Sequence, residues 1–122
     1  MRDHTKLRAF QLADEVVILI YKTTRDFPKE ETYGLTAQIR RAAISVASNI
    51  VEGCGRESKV EYFRFLEIAY ASLKEVDYQF SLALLLNYLT EKNFTDCNSK
   101  IEEAKKVLYS LKKSITTNNN KL

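Results

Sequence analysis

Residues that turn the chain or break helices are scarce in this sequence. Its 122 residues include one proline, three glycines and no tryptophan. A sheet would need frequent turns between short strands, and no segment alternates apolar and polar residues convincingly with a period of two. The sequence therefore predicts long, uninterrupted helices, and a sheet is not expected.

Residues that ligate metals or carry redox chemistry are equally few. The two cysteines, Cys54 and Cys97, lie far apart, and His4 is the only histidine. A structural zinc site requires more ligands at closer spacings. We therefore expect no metal site, no cofactor and two reduced, ordinary thiols.

Long apolar runs are also missing. The longest, VVILIY at 16–21 and LALLLNYL at 82–89, are far shorter than the ~20 residues of a membrane span. Asp14 and Glu15 interrupt the early apolar segment, unlike the uninterrupted core of a secretory signal. We expect a soluble protein of the cytoplasm.

Apolar residues recur at helical spacing in four segments, which have about the bounds 3–25, 35–53, 58–88 and 90–115. Thr90 and Thr95 are both candidate caps for the last segment. Four amphipathic helices joined by short connections predict an all-α fold, an antiparallel up-down-up-down four-helix bundle. We expect one domain, residues 1–116, and a disordered polar tail, residues 117–122.

The segment EGCGRES, residues 52–58, contains two of the glycines and Cys54. A phosphate-binding loop follows a strand, and no strand is predicted before this segment. A cysteine nucleophile needs a neighbouring base, and the only histidine is distant in the sequence. We therefore interpret the segment as a hinge in which Gly53 and Gly55 form a left-handed helix cap.

The residues that follow the hinge glycines indicate a helix start. Ser58 and Glu61 have the spacing of a capping box. Arg56 lies four residues after Glu52, so it can pair with that carboxylate across the last turn. An arginine at such a junction can also meet a phosphate, which makes Arg56 a candidate contact for nucleic acid.

Helices one and two carry more apolar surface than the interior of one bundle needs, and a helix that is apolar on two sides invites burial against another subunit. A wider core stripe is the alternative. We predict a homo-oligomer whose interface includes Leu12, Val16, Leu19, Ile44, Ala47 and Val51.

Positive charge is concentrated near the end of the chain. The net charge is +3, and residues 90–122 alone carry an excess of this size. A set of residues at spacings of three, four and seven falls on one outward face of helix four: Lys105, Lys106, Tyr109, Lys112 and Lys113. The ammonium groups could meet phosphates while the tyrosine stacks on an unpaired base. The alternative is an ordinary solvated face, since Glu102 can pair with Lys105 or Lys106. With Arg41 and Arg56, this face is the predicted nucleic-acid site.

One long stretch resembles a known family. Residues 27–58, FPKEETYGLTAQIRRAAISVASNIVEGCGRES, and residues 61–80, EYFRFLEIAYASLKEVDYQF, closely resemble the bacterial four-helix-bundle family of the 23S ribosomal RNA intervening-sequence proteins. Positions that match the family pattern include Tyr33, Gly34, Leu35, Gln38, Ile39, Arg40, Arg41, Ser45, Ser48, Asn49, Ile50, Glu52, Gly53, Gly55, Arg56, Arg64, Phe65, Leu66, Ser72, Leu73 and Glu75.

The family resemblance also implies an assembly, a ligand and a partner. The family is similar to the accessory variability proteins of diversity-generating retroelements, and these relatives imply a pentameric, basic, barrel-like assembly that binds RNA or DNA. By the same analogy they imply a reverse transcriptase as a partner. Most members of the family have no established biochemical activity.

Three hypotheses about function follow. The first is a non-enzymatic, oligomeric protein that binds nucleic acid through basic surfaces with low sequence specificity. The second is a scaffold that docks a protein partner on exposed apolar helix faces. An enzyme is a distant third. Four residues with acid-base potential are expected as a buried cluster, but paired charges inside a bundle are usually structural: Arg40, Arg64, Glu67 and Glu75.

Overall fold

The computed structural model of the chain describes the backbone of residues 2–118 and the side chains of residues 2–116. Its α-helices are α1 (Arg8–Thr24), α2 (Leu35–Cys54), α3 (Lys59–Leu85) and α4 (Glu91–Asn118), and short 3-10 turns lie at His4–Lys6 and Lys29–Glu31. No strand occurs within residues 2–118. The predicted all-α fold is confirmed. Most of the predicted tail, residues 119–122, lies outside the described residues, so the tail stays a prediction.

The helices form a closed ring. Each helix packs against its neighbours in the sequence, and α1 also packs against α4. The diagonal pairs, α1 with α3 and α2 with α4, make no close backbone contact in the part of the chain described. Because short connections make consecutive helices antiparallel, this ring is the up-down-up-down bundle that the sequence predicts.

Hydroxyl side chains cap α3 and α4. The Ser58 hydroxyl accepts a hydrogen bond from the amide of Glu61 at 3.1 Å, and the Thr90 hydroxyl accepts one from the amide of Asn93 at 3.1 Å. Each bond satisfies an amide that has no partner inside its own helix. The predicted cap at Ser58 is confirmed, and of the two candidates for helix four the structure uses Thr90.

The start of α2 is capped by a carboxylate instead. Glu31 accepts a hydrogen bond from the amide of Leu35 at 2.9 Å and another from the hydroxyl of Tyr88 at 2.7 Å. Both bonds favour the ionised carboxylate, so they lower the pKa of Glu31. Tyr88 follows α3, so this carboxylate joins the loop before α2 to the loop before α4.

The hinge glycines do not form a left-handed cap, and that prediction is wrong. Gly55 has a φ of −81°, and no glycine among the described residues has a positive φ. Gly53 instead lies inside α2, where a Cβ atom would come within 2.9 Å of the Phe65 Cβ. Glycine is therefore required at position 53 by the close approach of α3.

The core fills the centre of the ring and takes residues from all four helices. Leu12 and Val16, which the sequence predicts at an interface between subunits, are 0% and 1% exposed within the single chain. Their placement on an outer face is wrong, because both lie on the buried face of α1 with Ala9, Ala13 and Ile20. Leu19 and Ala47 are half-buried and pack against the core, whereas Ile44 and Val51 remain exposed on α2.

The charged residues proposed as a buried cluster do not form one. Arg64, Glu67 and Glu75 are exposed on α3. Arg40 is half-buried, donates a hydrogen bond to the Thr24 hydroxyl at 2.8 Å and joins α2 to α1. The buried cluster is therefore wrong, since the outer face of α3 points into solvent rather than toward another helix.

Candidate nucleic-acid interface

The groove between α3 and α4 combines basic and aromatic side chains. On α3, residues Lys59, Phe63, Tyr70 and Asp77 recur at spacings of four and seven and so share one face of the helix. On α4, Glu102, Lys105, Tyr109 and Lys112 recur at spacings of three and four and share another. We call these eight residues, with the outward-facing Lys106 and Lys113, the α3–α4 seam.

Lys105 forms ion pairs with two carboxylates in the seam. Its ammonium nitrogen lies 2.7 Å from a carboxylate oxygen of Asp77 and 3.2 Å from one of Glu102. The hydrogen bond to Asp77 favours the charged amine and raises the pKa of Lys105. The anticipated pair with Glu102 is therefore present, and Asp77 is a second partner. Lys105 fixes α4 against α3, and its charge is already compensated.

Lys112 lies over aromatic rings of α3. Its ammonium nitrogen is 4.7 Å from the centre of the Tyr70 ring and 5.9 Å from that of Phe63. A cation at this distance is attracted by the negative face of the ring. Among the side chains of residues 2–116, Lys112 forms no ion pair, so it contributes a cation without a carboxylate partner there, and the rings fix its position in the seam.

Lys106 and Lys113 are the outermost cations of the seam. Both side chains are exposed, and neither takes part in an ion pair among the side chains that the structure describes. They lie three residues before and four residues after Tyr109, so all three side chains project from one face of α4. Here the structure agrees with the predicted outward face.

Two tyrosines form the walls of a small cavity in the seam. The ring centres of Tyr70 and Tyr109 are 5.9 Å apart, and their planes are inclined by 51°. The cavity has a volume of about 260 Å³, and Glu102, Lys105 and Lys106 complete its lining. Tyr109 is 47% exposed, so a large part of its ring is open to solvent.

The seam ends beside a second basic group at the start of α3. Arg2 donates a hydrogen bond to the carbonyl oxygen of Arg56 at 2.6 Å, and its guanidinium lies 4.0 Å from the centre of the Tyr62 ring. A cavity of about 160 Å³ is lined by Arg2, Tyr62 and Lys59 of the seam. Arg2, Arg56 and Lys59 therefore form a cluster of cations at this end of the bundle.

Arg56 has the partner that its spacing predicts. One of its terminal nitrogens lies 3.6 Å from a carboxylate oxygen of Glu52, and its guanidinium lies 4.8 Å from the centre of the Phe65 ring. Together with Arg2 it lines a cavity of about 520 Å³. The side chain is thus held in place while part of it remains open to solvent.

Arg41 lies away from the seam. It is exposed on α2 and donates a hydrogen bond to the side-chain oxygen of Gln38 at 3.2 Å. It lines a different cavity, of about 440 Å³, together with Tyr21, Tyr33 and Ile44. Because α2 and α4 lie on a diagonal of the ring, the structure does not bring Arg41 together with the lysines of helix four.

Sequence reasoning missed the residues that α3 and the N-terminal segment contribute. Phe63 and Tyr70 were absent from the predicted site, as were Arg2 and Lys59. The aromatic residues lie seven apart and Asp77 follows after another seven, which was a usable signal for a common face. Arg2 lies in no periodic segment, so nothing in the pattern indicated its contact with Tyr62.

Cys54 lies close to this cluster and is buried. It is 1% exposed, and its burial raises the pKa of the thiol, although a hydrogen bond with Tyr62 acts in the opposite direction. Burial also raises the pKa of Tyr62 to about 12. Both cysteines are unpaired and buried.

Two kinds of feature are absent from the described residues. They contain no group of three or more His, Cys, Asp or Glu side chains that could hold a metal ion. None of the helices described combines the length and the apolar character needed to cross a membrane.

Comparison with known proteins gives a family and a fold. The model of the family described as 23S rRNA-intervening sequence protein matches residues 5–110. The crystal structure of a protein of unknown function from the S23 ribosomal protein family of Bacteroides thetaiotaomicron VPI-5482 is similar with a TM-score of 0.78 and 22% sequence identity. This match covers 86% of the present chain and 95% of that chain. No curated protein is significantly similar to the chain.

Proposed function

The chain belongs to the 23S rRNA-intervening sequence protein family, and we propose that it is a non-enzymatic, oligomeric protein that binds RNA or DNA through the α3–α4 seam with low sequence specificity. The observation that carries this proposal is the alternation of cations and aromatic rings along one groove. Lys106, Lys112 and Lys113 form no ion pair among the described side chains, whereas Lys105 pairs with Asp77 and Glu102 and so joins the two helices.

The spacing of the cations suits a phosphate backbone. From Asp77 to Lys59 the seam follows α3 for about 27 Å at 1.5 Å per residue. The cluster of Arg2, Arg56 and Lys59 extends the positive surface beyond the end of the groove. Cations that neutralise phosphates release bound counterions, which supplies affinity without regard to sequence.

Low specificity follows from the chemistry of the cations. Lysine presents a rotatable point charge, whereas sequence is read most often by arginine or amide side chains that form paired hydrogen bonds with base edges. Arg41 lies on another face of the bundle, and the two arginines beyond the end of the seam already have partners, Arg56 in Glu52 and Arg2 in the ring of Tyr62.

Assembly of several copies would strengthen the positive field. Ile44 and Val51 lie seven residues apart on α2, so they share a face, and they are 42% and 38% exposed. An apolar stripe of this kind favours burial against a second copy. Family resemblance favours a pentamer, in which symmetry would repeat the seam. We further propose a cytoplasmic location, in keeping with two unpaired cysteines.

A salt titration tests the binding proposal. We expect fluorescence anisotropy with a labelled structured RNA to give nanomolar to micromolar binding at low salt that weakens steeply as salt is added. The variant Lys106→Ala/Lys113→Ala removes two contacts, so the slope of log K against log salt falls by about 1.5. The control Lys22→Ala/Lys29→Ala removes the same charge from exposed positions outside the seam. In this control the slope of log K against log salt should stay close to that of the natural protein. Absence of binding by the natural protein at low salt would contradict the proposal.

A protein-docking scaffold is the second candidate. Leu85 is 78% exposed and Leu86 is 45% exposed at the end of α3, which is unusual for leucine unless a partner covers it. This function predicts that one protein partner is recovered by pull-down after nuclease treatment and that Leu85→Ser abolishes the recovery. A reverse transcriptase is the partner class to test first, by family analogy alone.

A further inference from the structure

The cavity between Tyr70 and Tyr109 differs from the rest of the seam because it can hold something other than phosphate. Its volume of about 260 Å³ is sufficient for a single planar ring system, and its two walls are aromatic. The side toward α3 carries Lys105, whose charge is already compensated by Asp77 and Glu102. A second anion would gain little from that lysine, whereas an aromatic group could stack on the exposed part of Tyr109.

Resting on the proposed function, we propose that this cavity takes one unpaired nucleobase and that the protein therefore binds single-stranded nucleic acid in preference to duplex. Tyr109 is the stacking surface, because 47% of it is exposed. Tyr70 is less available, since the ammonium group of Lys112 lies 4.7 Å from the centre of its ring. Tyr70 therefore forms the back wall of the cavity.

The lysines around Tyr109 are placed to hold the strand on either side of such a base. Lys106 and Lys113 lie about one helical turn before and after Tyr109 on the same face of α4. A base stacked on the tyrosine would bring its flanking phosphates toward these two ammonium groups. In a duplex the base faces are already stacked on one another, so only the phosphates could be reached without extruding a base.

The test compares probes that differ in base accessibility. Fluorescence anisotropy at one fixed salt concentration would use a 12-nucleotide single-stranded RNA, the single-stranded DNA of the same sequence and the RNA duplex. We expect at least one single strand to bind about tenfold more tightly than the duplex. Tyr109→Ala should remove this preference, while Tyr109→Phe, which keeps the ring and loses the hydroxyl, should retain it.

The outcomes separate the inference from the proposed function. If the duplex and both single strands bind equally, or if Tyr109→Ala weakens all probes by the same factor, stacking is contradicted while binding through the seam stands. If Tyr109→Phe behaves as Tyr109→Ala does, the hydroxyl rather than the ring is responsible, and the inference is again contradicted. Failure of every probe to bind at low salt overturns both proposals. Circular dichroism of each variant confirms that the helical content is unchanged.

Discussion

The ammonium nitrogen of Lys105 lies 2.7 Å from a carboxylate oxygen of Asp77, and this ion pair joins α4 to α3 in the middle of the seam. The two side chains are 21% and 27% exposed, so water screens the pair less than it screens most surface ion pairs. Tyr109 lies four residues after Lys105 on α4 and Tyr70 lies seven residues before Asp77 on α3, so the pair joins the helices close to the two tyrosines.

Asp77→Asn should destabilise the bundle by about 1 kcal/mol, because it removes the charge that compensates the partly buried Lys105. Urea unfolding measures the change. The control is Asp96→Asn, which disrupts the pair with Lys92, where the side chains are 85% and 65% exposed. That change should lie within about 0.5 kcal/mol of zero. Equal losses in the two variants would contradict a special role for the pair in the seam.

The contribution of this pair should be lost as the pH rises into the alkaline range, where Lys105 loses its proton. The pKa of Lys105 is raised above its ordinary value of 10.5, first by the hydrogen bond to Asp77. The folded chain therefore binds the proton more tightly than the unfolded chain does. The stabilisation is complete below pH 10.5 and is lost as the pH rises through the folded-state pKa. The difference in unfolding free energy between the natural protein and Asp77→Asn should thus be constant from about pH 7 to 10 and shrink above it. A difference that disappears near neutral pH would contradict the assignment.

Gly53→Ala should destabilise the protein by about 1 to 3 kcal/mol, although alanine is the better helix former. The added Cβ would come within 2.9 Å of the Phe65 Cβ and 3.2 Å of a Tyr62 ring carbon. Gly55→Ala is the matched control, because its nearest neighbour would be 3.6 Å away and its φ is −81°. Thermal unfolding followed by circular dichroism should show a clearly lower midpoint for position 53 only. A midpoint unchanged by Gly53→Ala would show that the helices separate at little cost.

Some of these structural features could be predicted from the sequence and others could not. The helices and the caps at Ser58 and Thr90 were predictable, because apolar periodicity and capping spacing are local properties of the chain. The ion pair between Asp77 and Lys105 depends on the register of two helices, which no local pattern records. The role of Gly53 was misjudged for the same reason, since a glycine needed for close approach looks in sequence like a glycine needed for a turn.

The sequence also did not show how many apolar residues of each helix would be buried within one chain. Leu12 and Val16 belong to the buried stripe of α1, and periodicity alone does not tell which side of a broad apolar stripe faces a neighbouring helix. In the ring of four helices α1 has two neighbours, so both residues become core. Ile44 has the same pattern in sequence but remains exposed on α2. Only the packing of the chain separates these cases.

Ile44→Glu should convert the proposed oligomer into a smaller species, because a charge buried at an interface is strongly unfavourable. Ile44 is 42% exposed within the single chain, so the substitution should leave the bundle folded. The matched control is Ile68→Glu, since Ile68 is 43% exposed but lies on α3. Size exclusion with light scattering should show dissociation for Ile44→Glu and not for Ile68→Glu. A natural protein that is monomeric at all concentrations would contradict the oligomer itself.

Cys54 should resist alkylation in the folded protein, because its thiol is 1% exposed and its burial raises the thiol pKa. Only the thiolate reacts, so both effects slow the reaction at neutral pH, and a pKa above the ordinary 9.0 delays ionisation further into the alkaline range. Labelling with iodoacetamide, located by peptide mass spectrometry, should be more than about tenfold slower at Cys54 than in urea-unfolded protein at the same pH. The unfolded sample is the internal control, since it contains the same thiol without its burial. Rapid labelling of Cys54 in the folded protein at pH 7 would contradict the structural interpretation of residues 52–58 and make a nucleophilic role for this thiol the next hypothesis to test.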